Sequence, residues 1–415
     1  MSNRVLLVGW VSSPGQRWLK VSALDELAEL TRTAGGTVVE KLIQVRNKPE
    51  PATLIGKGKA EEIAGLCQQH NINLVVFDDA LAPTQLRNLE EIIGVRVIDR
   101  AAVILDIFAL HARTAEAKVQ VELAQLEYFK TRLTGLGIEM SRLGGGIGTR
   151  GPGETKLEVD RRRIEQRITV LRRELARIEK ERVVQRKRRT SLFRIALAGY
   201  TNTGKSTLFN RLTSADVKVS DQLFATLDAN TKVYQIDRNV RAVVTDTVGF
   251  IRNLPVQLVA SFRSTLAEIR EADLVLYIAD ISDPQVESRI ETVRETLSAI
   301  GAGEKPRLLV FNKIDRVYEE GVISRLRRCY GNAVFISALT GAGLEQLHQA
   351  IERCVDQQRV VRTFTIPEDR GDLLAWVLSS GTVVTQRLLN GKRQLRIKGF
   401  PAQLARIRKV LQRVR

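Results

Sequence analysis

The chain reads Gly199-Tyr200-Thr201-Asn202-Thr203-Gly204-Lys205-Ser206, a G-x-x-x-x-G-K-[ST] phosphate loop, directly after the apolar run at 195–198. An apolar strand before such a loop and a helix after it, here starting at Thr207, form the context that the motif requires. The glycines let backbone N–H groups turn towards a nucleotide's phosphates at the positive end of that helix. Lys205 is expected to reach the β- and γ-phosphates, and Ser206 is expected to coordinate Mg²⁺. The loop predicts a nucleoside triphosphate site in an α/β domain with a mostly parallel sheet.

A second motif, Asn312-Lys313-Ile314-Asp315, follows the apolar strand at 307–311 and fits N-K-x-D. In doubly wound folds ligands bind at the carboxyl ends of strands. The carboxylate of Asp315 can accept hydrogen bonds from N1–H and N2–H₂ of guanine, whereas adenine has neither donor there and would leave a buried carboxylate unpaired. Ser337-Ala338-Leu339, after the strand at 333–336, is expected to close over the base. These residues predict GTP rather than ATP.

Two segments between these motifs are expected to respond to the γ-phosphate. Asp246-Thr247-Val248-Gly249 is a D-x-x-G after the strand at 241–245, in which Asp246 holds Mg²⁺ through water and the Gly249 N–H senses the phosphate. Upstream, the predicted switch loop is Leu223-Phe224-Ala225-Thr226-Leu227-Asp228, where Thr226 completes the metal shell. Thr231 is the alternative, and Thr226 is favoured because the loop resembles the switch loops of related GTPases. Catalytic roles are assigned to Lys205, Thr226 and Gly249, and metal binding to Ser206, Thr226 and Asp246.

Phe250 follows the D-x-x-G motif. Regulatory GTPases commonly carry Gln at this place to orient the attacking water, and an apolar ring can neither donate nor accept a hydrogen bond. The ring is equally suited to pack against the sheet. Both interpretations predict slow unaided hydrolysis and a partner that positions the water.

Length and composition limit the remaining possibilities. With 415 residues the chain has room for several domains, each with its own core. Its three cysteines are widely spaced, which favours a reducing compartment over a disulfide framework. No secretory signal pattern and no long apolar run is visible, so a soluble, cytoplasmic monomer without a membrane span is expected.

The net charge of +18 is concentrated in two segments. Residues 160–190 contain 13 Lys or Arg and 5 Asp or Glu, and residues 386–415 contain 10 Lys or Arg and no acidic residue. These excesses of 8 and 10 account for the whole net charge. Such concentration favours a polyanion as partner, with nucleic acid as the leading candidate, although a single basic run is often only a solvated face.

Four segments follow from the periodicity along the chain. Residues 1–110 alternate apolar runs with helical patterns and predict a small parallel α/β domain. Residues 111–191 predict a long antiparallel helical hairpin whose glycine-rich tip loop spans 135–153. The GTPase domain is expected at 192–358. A small basic α+β domain at 359–415 completes the order, with a hairpin turning at Asn390-Gly391.

The hairpin prediction depends on two apolar seams and on the loop between them. One seam is formed by Val119, Leu123, Leu126 and Leu133, and the other by Ile164, Ile168, Leu171, Leu175 and Ile178. The eight glycines between 135 and 153 predict a loop that becomes ordered on a partner, since connectors of this length are uncommon unless they are functional.

Together these residues resemble the HflX family of ribosome-associated GTPases. The resemblance covers essentially the whole chain and is carried by Val97–Arg100, Ile104–Phe108, Gln120–Leu126, Gly144–Glu154 and the GTPase motifs. It implies a GTPase that uses GTP and Mg²⁺, binds the large ribosomal subunit and its RNA, and places the hairpin loop near the peptidyl transferase centre. Because well-studied members of the family split stalled or stress-arrested ribosomes, the resemblance implies that activity as well.

Two alternatives stay open at this point. One is an RNA-binding or ribosome-biogenesis factor that uses GTP as a structural switch. The other is a GTPase associated peripherally with a membrane surface, although the basic helix lacks the aromatic anchors of interfacial helices.

Overall fold

The computed structural model describes residues 3–143, 156–187, 192–215, 223–224, 229–237, 240–252, 263–317, 319–389 and 391–413. The chain divides into two compact units, which are described separately. Unit 1 comprises residues 1–181 with 220–228 and 253–264, and unit 2 comprises residues 182–219, 229–252 and 265–415. Within the described ranges no helix is both long and apolar enough to cross a bilayer.

Unit 1 begins with a parallel four-stranded sheet in the order β2-β1-β3-β4. Its central strands are apolar along their length because helices cover both faces of a parallel sheet. The strands are β1 (Arg4–Val11), β2 (Thr37–Val45), β3 (Leu74–Phe77) and β4 (Arg96–Asp99). The helices are α1 (Arg17–Thr33), α2 (Lys57–Gln69), α3 (Pro83–Ile93) and α4 (Arg100–His111). This arrangement confirms the parallel α/β fold expected for the first segment.

A buried ionic network lies at the carboxyl edge of this sheet. Asp78, which follows β3, accepts hydrogen bonds from Arg100 Nη1 at 2.9 Å and from Lys20 Nζ at 2.9 Å. Arg100, only 3% exposed, also pairs with Glu26. Burial alone would raise the pKa of Asp78, but the two cations hold it below its ordinary value. The charges at this edge therefore neutralise one another within the unit.

Two long helices, α5 (Ala115–Leu143) and α6 (Lys156–Lys187), form the hairpin of unit 1. The predicted seams meet, since Val119 and Leu123 are buried against Ile168 and Leu171, with Leu126, Ile164 and Leu175 packed around them. One bidentate pair from Arg167 to Glu122, with hydrogen bonds of 2.6 and 2.8 Å, also connects the helices.

The predicted start of the tip loop at residue 135 is wrong, because α5 continues to Leu143. Between 133 and 143 only Gly135 and Gly137 are poor helix formers, and each costs about 1 kcal/mol relative to alanine, which the remaining residues of a long helix can offset. The rest of the predicted loop, 144–153, lies outside the described residues.

Unit 2 contains a six-stranded sheet in the order β10-β9-β8-β5-β7-β6. Only β6, at the edge, runs antiparallel to its neighbour. The strands are β5 (Phe193–Gly199), β6 (Asn230–Asp237), β7 (Val240–Asp246), β8 (Leu274–Asp280), β9 (Arg307–Asn312) and β10 (Val334–Phe335). The helices are α7 (Lys205–Thr213), α8 (Arg263–Glu271), α9 (Val286–Ala299), α10 (Glu320–Cys329) and α11 (Leu344–Gln357). This mostly parallel sheet is the GTPase fold predicted from the phosphate loop.

The chain ends in a small antiparallel sheet in the order β11-β13-β12. Its elements are β11 (Val360–Pro367), α12 (Gly371–Ser379), β12 (Thr382–Leu389), β13 (Lys392–Gly399) and α13 (Pro401–Arg413). The order of strand, helix, hairpin and basic helix agrees with the predicted α+β domain. The four domain boundaries given above stay predictions.

Candidate nucleotide site

The phosphate loop connects β5 to α7, and its shape depends on glycines at two positions. Gly204 has φ of 85°, and a Cβ there would collide with the Asn312 side chain. A Cβ on Gly199 would collide with the carbonyl oxygen of Ile278. Asn202 also has a positive φ of 58°, which asparagine tolerates better than most residues. The sequence Gly-x-x-x-x-Gly is therefore required by close approach of β8 and β9.

Lys205 lies at the centre of this loop. It is 7% exposed, and its Nζ donates to the carbonyl oxygen of Tyr200 at 2.7 Å. The pKa of Lys205 is lowered from 10.5 to about 8. Burial is the largest cause, Asp246 opposes it by favouring the charged form, and Lys313 adds to the lowering. Because burial disfavours the charged form of this ammonium, a phosphate nearby would stabilise that form strongly through charge-assisted hydrogen bonds. The role predicted for Lys205 is compatible with this arrangement and stays a prediction.

The predicted metal ligands from two motifs meet at the start of α7. Ser206 Oγ donates to Asp246 Oδ2 at 2.7 Å, and Asp246 is fully buried at the end of β7. Hydroxyl and carboxylate oxygens are the donors that Mg²⁺ prefers, so this pair fits that ion. The third predicted ligand, Thr226, lies outside the described residues, as do Ala225, Leu227 and Asp228.

The D-x-x-G segment packs directly on the phosphate loop. A Cβ on Gly249 would lie 2.9 Å from Thr201 Cα and 3.0 Å from Lys205 Nζ, so only glycine fits there. Thr201 N donates to the Phe250 carbonyl oxygen at 2.8 Å, and Phe250 N donates to the Gly199 carbonyl oxygen at 3.0 Å. Thr201 therefore uses its N–H within the protein. The buried Thr201 hydroxyl has no hydrogen-bond partner among the described residues, so it can donate a hydrogen bond to a ligand.

The remaining residues of these motifs support the loop. Thr203 Oγ1 donates to the Tyr200 carbonyl oxygen at 3.0 Å. Thr247 Oγ1 donates to the Leu197 carbonyl oxygen at 2.7 Å, and Val248 is buried beside it. Thr207 lies in the first turn of α7, half-buried. The hydroxyls of Thr203 and Thr247 thus hold the backbone of the phosphate loop and of strand β5 in place.

Asn312 ties three loops together at the end of β9. It is 2% exposed, its Nδ2 donates to the Thr203 carbonyl oxygen at 2.8 Å, and its Oδ1 accepts from Ala338 N at 2.9 Å. The segment predicted to cover the base is thus joined to the phosphate loop through one side chain. Ser337 is fully buried and its Oγ accepts from Thr340 N at 3.1 Å.

The predicted base-reading carboxylate, Asp315, lies in a short 3-10 turn formed by Ile314–Arg316 and is exposed. The energetic argument from a buried unpaired carboxylate therefore applies only once a base covers it. Leu339 is 65% exposed near the same edge. Its carbonyl oxygen accepts from Arg211 Nη2 at 2.6 Å, and Arg211 was not predicted from the sequence.

A second residue missed by the sequence analysis is Asp280. Its Oδ2 pairs with Lys313 Nζ at 2.7 Å, and the same Nζ donates to the Asn202 carbonyl oxygen at 2.7 Å. Asp280 ends β8 at the carboxyl edge of a parallel sheet, where ligand-binding residues collect, and that position is the feature that could have revealed it.

Phe224, the predicted site residue in the switch loop, is buried. The structure places it in unit 1, 3% exposed and with a positive φ of 58°, where its ring packs edge to face on Phe108 of α4. The ring centroids are 4.7 Å apart. The prediction that Phe224 lines the nucleotide site stays a prediction.

Family models match three consecutive parts of the chain. Residues 21–109 match a GTP-binding GTPase N-terminal model, and residues 111–189 match a GTP-binding GTPase middle region. Residues 194–313 match a model described as 50S ribosome-binding GTPase. GTPase HflX of Caldanaerobacter subterraneus subsp. tengcongensis is 45% identical over 92% of this chain and 88% of its own.

The chain belongs to the HflX family of GTPases.

HflX of Escherichia coli is 45% identical over 84% of this chain and 83% of its own length. Among solved structures, a GTP-binding protein of Sulfolobus solfataricus in complex with GDP is 25% identical, with a TM-score of 0.43, over 86% of this chain and 99% of that one. Membership confirms the resemblance inferred from the motifs. It also confirms that the protein binds guanine nucleotide and hydrolyses GTP, as the phosphate loop and the N-K-x-D motif predicted.

Proposed function

We propose that this HflX-family protein is a magnesium-dependent GTPase that binds the large ribosomal subunit and dissociates or rescues stalled or stress-arrested ribosomes. In this proposal the ribosome stimulates hydrolysis. The family model matched by residues 194–313, which describes a 50S ribosome-binding GTPase, supports the partner.

The observation that carries the proposal is the placement of Phe250. Its ring is 2% exposed, and its backbone N–H and carbonyl are both bonded to the phosphate loop. The position at which other GTPases present a water-orienting side chain is therefore filled by a buried apolar ring. A group that orients water must come from elsewhere, and this favours a partner-stimulated switch over a self-sufficient enzyme.

Different residues of unit 2 would bind different parts of the nucleotide. Lys205 would neutralise the β- and γ-phosphates, and the Thr201 hydroxyl would donate to a phosphate oxygen. Ser206, Asp246 and, outside the described residues, Thr226 would hold Mg²⁺, which when bound offsets phosphate charge during hydrolysis. Asp315 would accept from the guanine edge, while Asn312 keeps the base-covering segment on the phosphate loop. Loss of the γ-phosphate would release Thr226 and Gly249 and end the ribosome-bound geometry.

The chemistry of the hairpin fits an RNA partner. The 29 residues of α5 extend about 43 Å at 1.5 Å per residue. Exposed arginines line α6, including Arg162 and Arg173. Long rods with cationic sides suit narrow cavities lined with RNA, where shape and phosphates are recognised.

The decisive experiment compares GTP turnover and ribosome state with purified components. Large subunits should raise kcat by at least about tenfold, within the range that partners achieve for switch GTPases. With GTP or a non-hydrolysable analogue, light scattering of intact ribosomes should fall as subunits separate. Ser206→Ala should abolish both effects, and Glu287→Gln, on the exposed side of α9, should leave both unchanged.

Three outcomes would count against parts of this proposal. Equal turnover with and without large subunits would remove partner stimulation. Binding of large subunits without any change in scattering would favour a biogenesis or storage role over splitting. If neither RNA nor ribosomes affect turnover or bind, GTP serves only as a structural ligand.

A further inference from the structure

The C-terminal sheet has one covered face and one open face. Leu395 and Ile397 of the central strand β13 are fully buried, as is Ile366 of β11, and Phe364 of β11 is 8% exposed. They pack against both helices of the domain through Val377, Leu404 and Ile407. Both α12 and α13 therefore lie on the same side of the sheet.

The opposite face consists of the alternate positions of the three strands, because side chains alternate along a strand. The strand register aligns Thr363, Arg396 and Thr385 in one row across the sheet. The next row aligns Thr365, Gln394 and Arg387. The flanking rows add Val361, Lys398 and Thr382 on one side, and Pro367, Lys392 and Leu389 on the other. None of these twelve residues is acidic.

Three of the four cations on this face are not neutralised by neighbours among the described residues. Arg387, Lys392 and Arg396 are exposed and have no ion pair within the part of the chain that the structure describes. Only Lys398, at one end, pairs with Asp356 at 2.5 Å. Between the cations lie hydroxyl and amide groups that can donate hydrogen bonds, from Thr363 and Gln394 among others.

We propose that this open sheet face, defined by Arg387, Lys392 and Arg396 with their threonine and glutamine neighbours, binds the phosphate backbone of RNA. Cores of protein interfaces are enriched in aromatic residues, and this face has none. The lack of aromatic rings also excludes base stacking as its main contact, so recognition rests on phosphates and sugars. The proposal deepens the proposed function, on which it rests for the RNA being ribosomal.

The domain offers a matched control on its other side. Arg406, Arg408 and Lys409 are exposed on α13, whose Leu404 and Ile407 pack on the covered face. Neutralising these three residues changes the net charge by the same amount as neutralising the three on the sheet. A comparison of the two sets therefore shows whether RNA binding depends on where the cations lie or only on the total charge.

The test uses the full chain with two triple variants. One carries Arg387→Gln, Lys392→Gln and Arg396→Gln, and the other carries Arg406→Gln, Arg408→Gln and Lys409→Gln. Affinity for a labelled RNA duplex and for oligouridylate is measured by anisotropy across a salt series. Each lost phosphate contact lowers the log–log slope by roughly 0.7–0.9, so the sheet variant should lose about two units or more in total. The helix variant should keep the wild-type slope.

Melting curves and GTP affinity, unchanged in both variants, exclude misfolding as the cause. An equal loss of slope in both variants, or an unchanged slope in the sheet variant, would overturn the proposal. A parallel arm measures binding to purified large subunits. If the sheet variant binds subunits poorly but naked RNA normally, the face contacts a ribosomal protein and the proposal fails. If wild-type protein binds no subunits while the two variants still differ on RNA, the proposed function fails and this inference stands.

Discussion

Lys313 shows how one side chain in a recognition motif depends on a residue outside that motif. Its backbone has φ of 66°, and its Nζ lies between Asp280 Oδ2 and the Asn202 carbonyl oxygen, each at 2.7 Å. The other oxygen of Asp280 accepts from Ser282 N at 3.0 Å and from Ser282 Oγ at 2.6 Å. The carboxylate is thereby fixed in orientation and holds the ammonium of Lys313 in place at the carboxyl edge of the sheet.

Asp280→Asn should therefore weaken GTP binding with little effect on kcat. A charge-assisted hydrogen bond contributes about 1.5–3 kcal/mol, which corresponds to a loss of affinity of roughly tenfold or more. Titration with GTP and steady-state kinetics would measure it. Glu287→Gln removes an exposed carboxylate of α9 and should change neither quantity. A fall in kcat at unchanged affinity would show that Asp280 does not act through Lys313.

Lys205 is expected to make nucleotide binding dependent on pH. Its pKa of about 8 in the free site should rise when phosphates bind, because an opposite charge favours the protonated form. Above pH 8 binding must take up a proton, so GTP affinity should be constant below that pH and fall about tenfold per unit above it. Equilibrium dialysis between about pH 6.5 and 9 measures this. Lys205→Met should bind more weakly and without that slope, and a flat wild-type profile would contradict the prediction.

At the scale of elements, the arginines of α6 differ in what they do. Arg167 forms a bidentate pair with Glu122 of α5, whereas Arg173 is exposed and has no ion pair among the described residues. Surface pairs are weak, contributing about 0–1 kcal/mol, yet they compete with phosphates for the same guanidinium. The count of 13 basic residues in 160–190 therefore overstates the charge available to a polyanionic partner.

Arg173→Gln and Arg167→Gln change the net charge equally and should behave differently. Arg173→Gln should lower the salt slope of ribosome binding by roughly 0.7–0.9 without affecting stability. Arg167→Gln should leave the slope nearly unchanged and lower the free energy of unfolding by up to about 1 kcal/mol. Salt-series binding and urea denaturation distinguish the two. Identical slopes for both variants would mean that hairpin pairing does not withhold charge from RNA.

At the scale of the whole molecule, chain order and packing do not coincide. Phe224 lies between α7 and β6 of unit 2 in sequence but belongs to unit 1 by its contacts. Within unit 1 the ring of Phe224 packs on Phe108. Phe224 stands two residues before Thr226 in the sequence. Phe224, from the loop that is expected to respond to the γ-phosphate, therefore packs within the unit that carries the hairpin.

Phe224→Leu should reduce the stimulation of GTP hydrolysis by large subunits several-fold, while intrinsic turnover and GTP affinity stay unchanged. Phe108→Leu should do the same, and the double variant should be no worse than either single one, because residues in contact are not additive. Turnover with and without subunits measures the effect. Phe77→Leu, a buried phenylalanine of β3, controls for loss of core packing. Additive losses would show that the ring pair does not act as one unit.

The sequence by itself determined the features that depend on neighbours along the chain. The phosphate loop, the N-K-x-D motif, the two hairpin seams and the order of elements in the C-terminal domain all follow from spacing within about ten residues. Local periodicity selects helix or strand, and a motif of fixed spacing needs no distant partner to be read. The start of the tip loop was wrong for a local reason as well, since isolated glycines weaken a long helix without ending it.

Only the tertiary structure decided how these parts act on one another. Asp280 and Lys313 are 33 residues apart, Asn312 and Thr203 are 109 apart, and Phe108 and Phe224 are 116 apart. Their contacts arise because parallel strands bring their carboxyl ends to one edge and because close packing leaves each side chain few positions. The bonds from Phe250 to the phosphate loop are backbone bonds, which no residue type encodes. The open basic face of the C-terminal sheet likewise depends on which side its helices cover, and composition alone does not contain that choice.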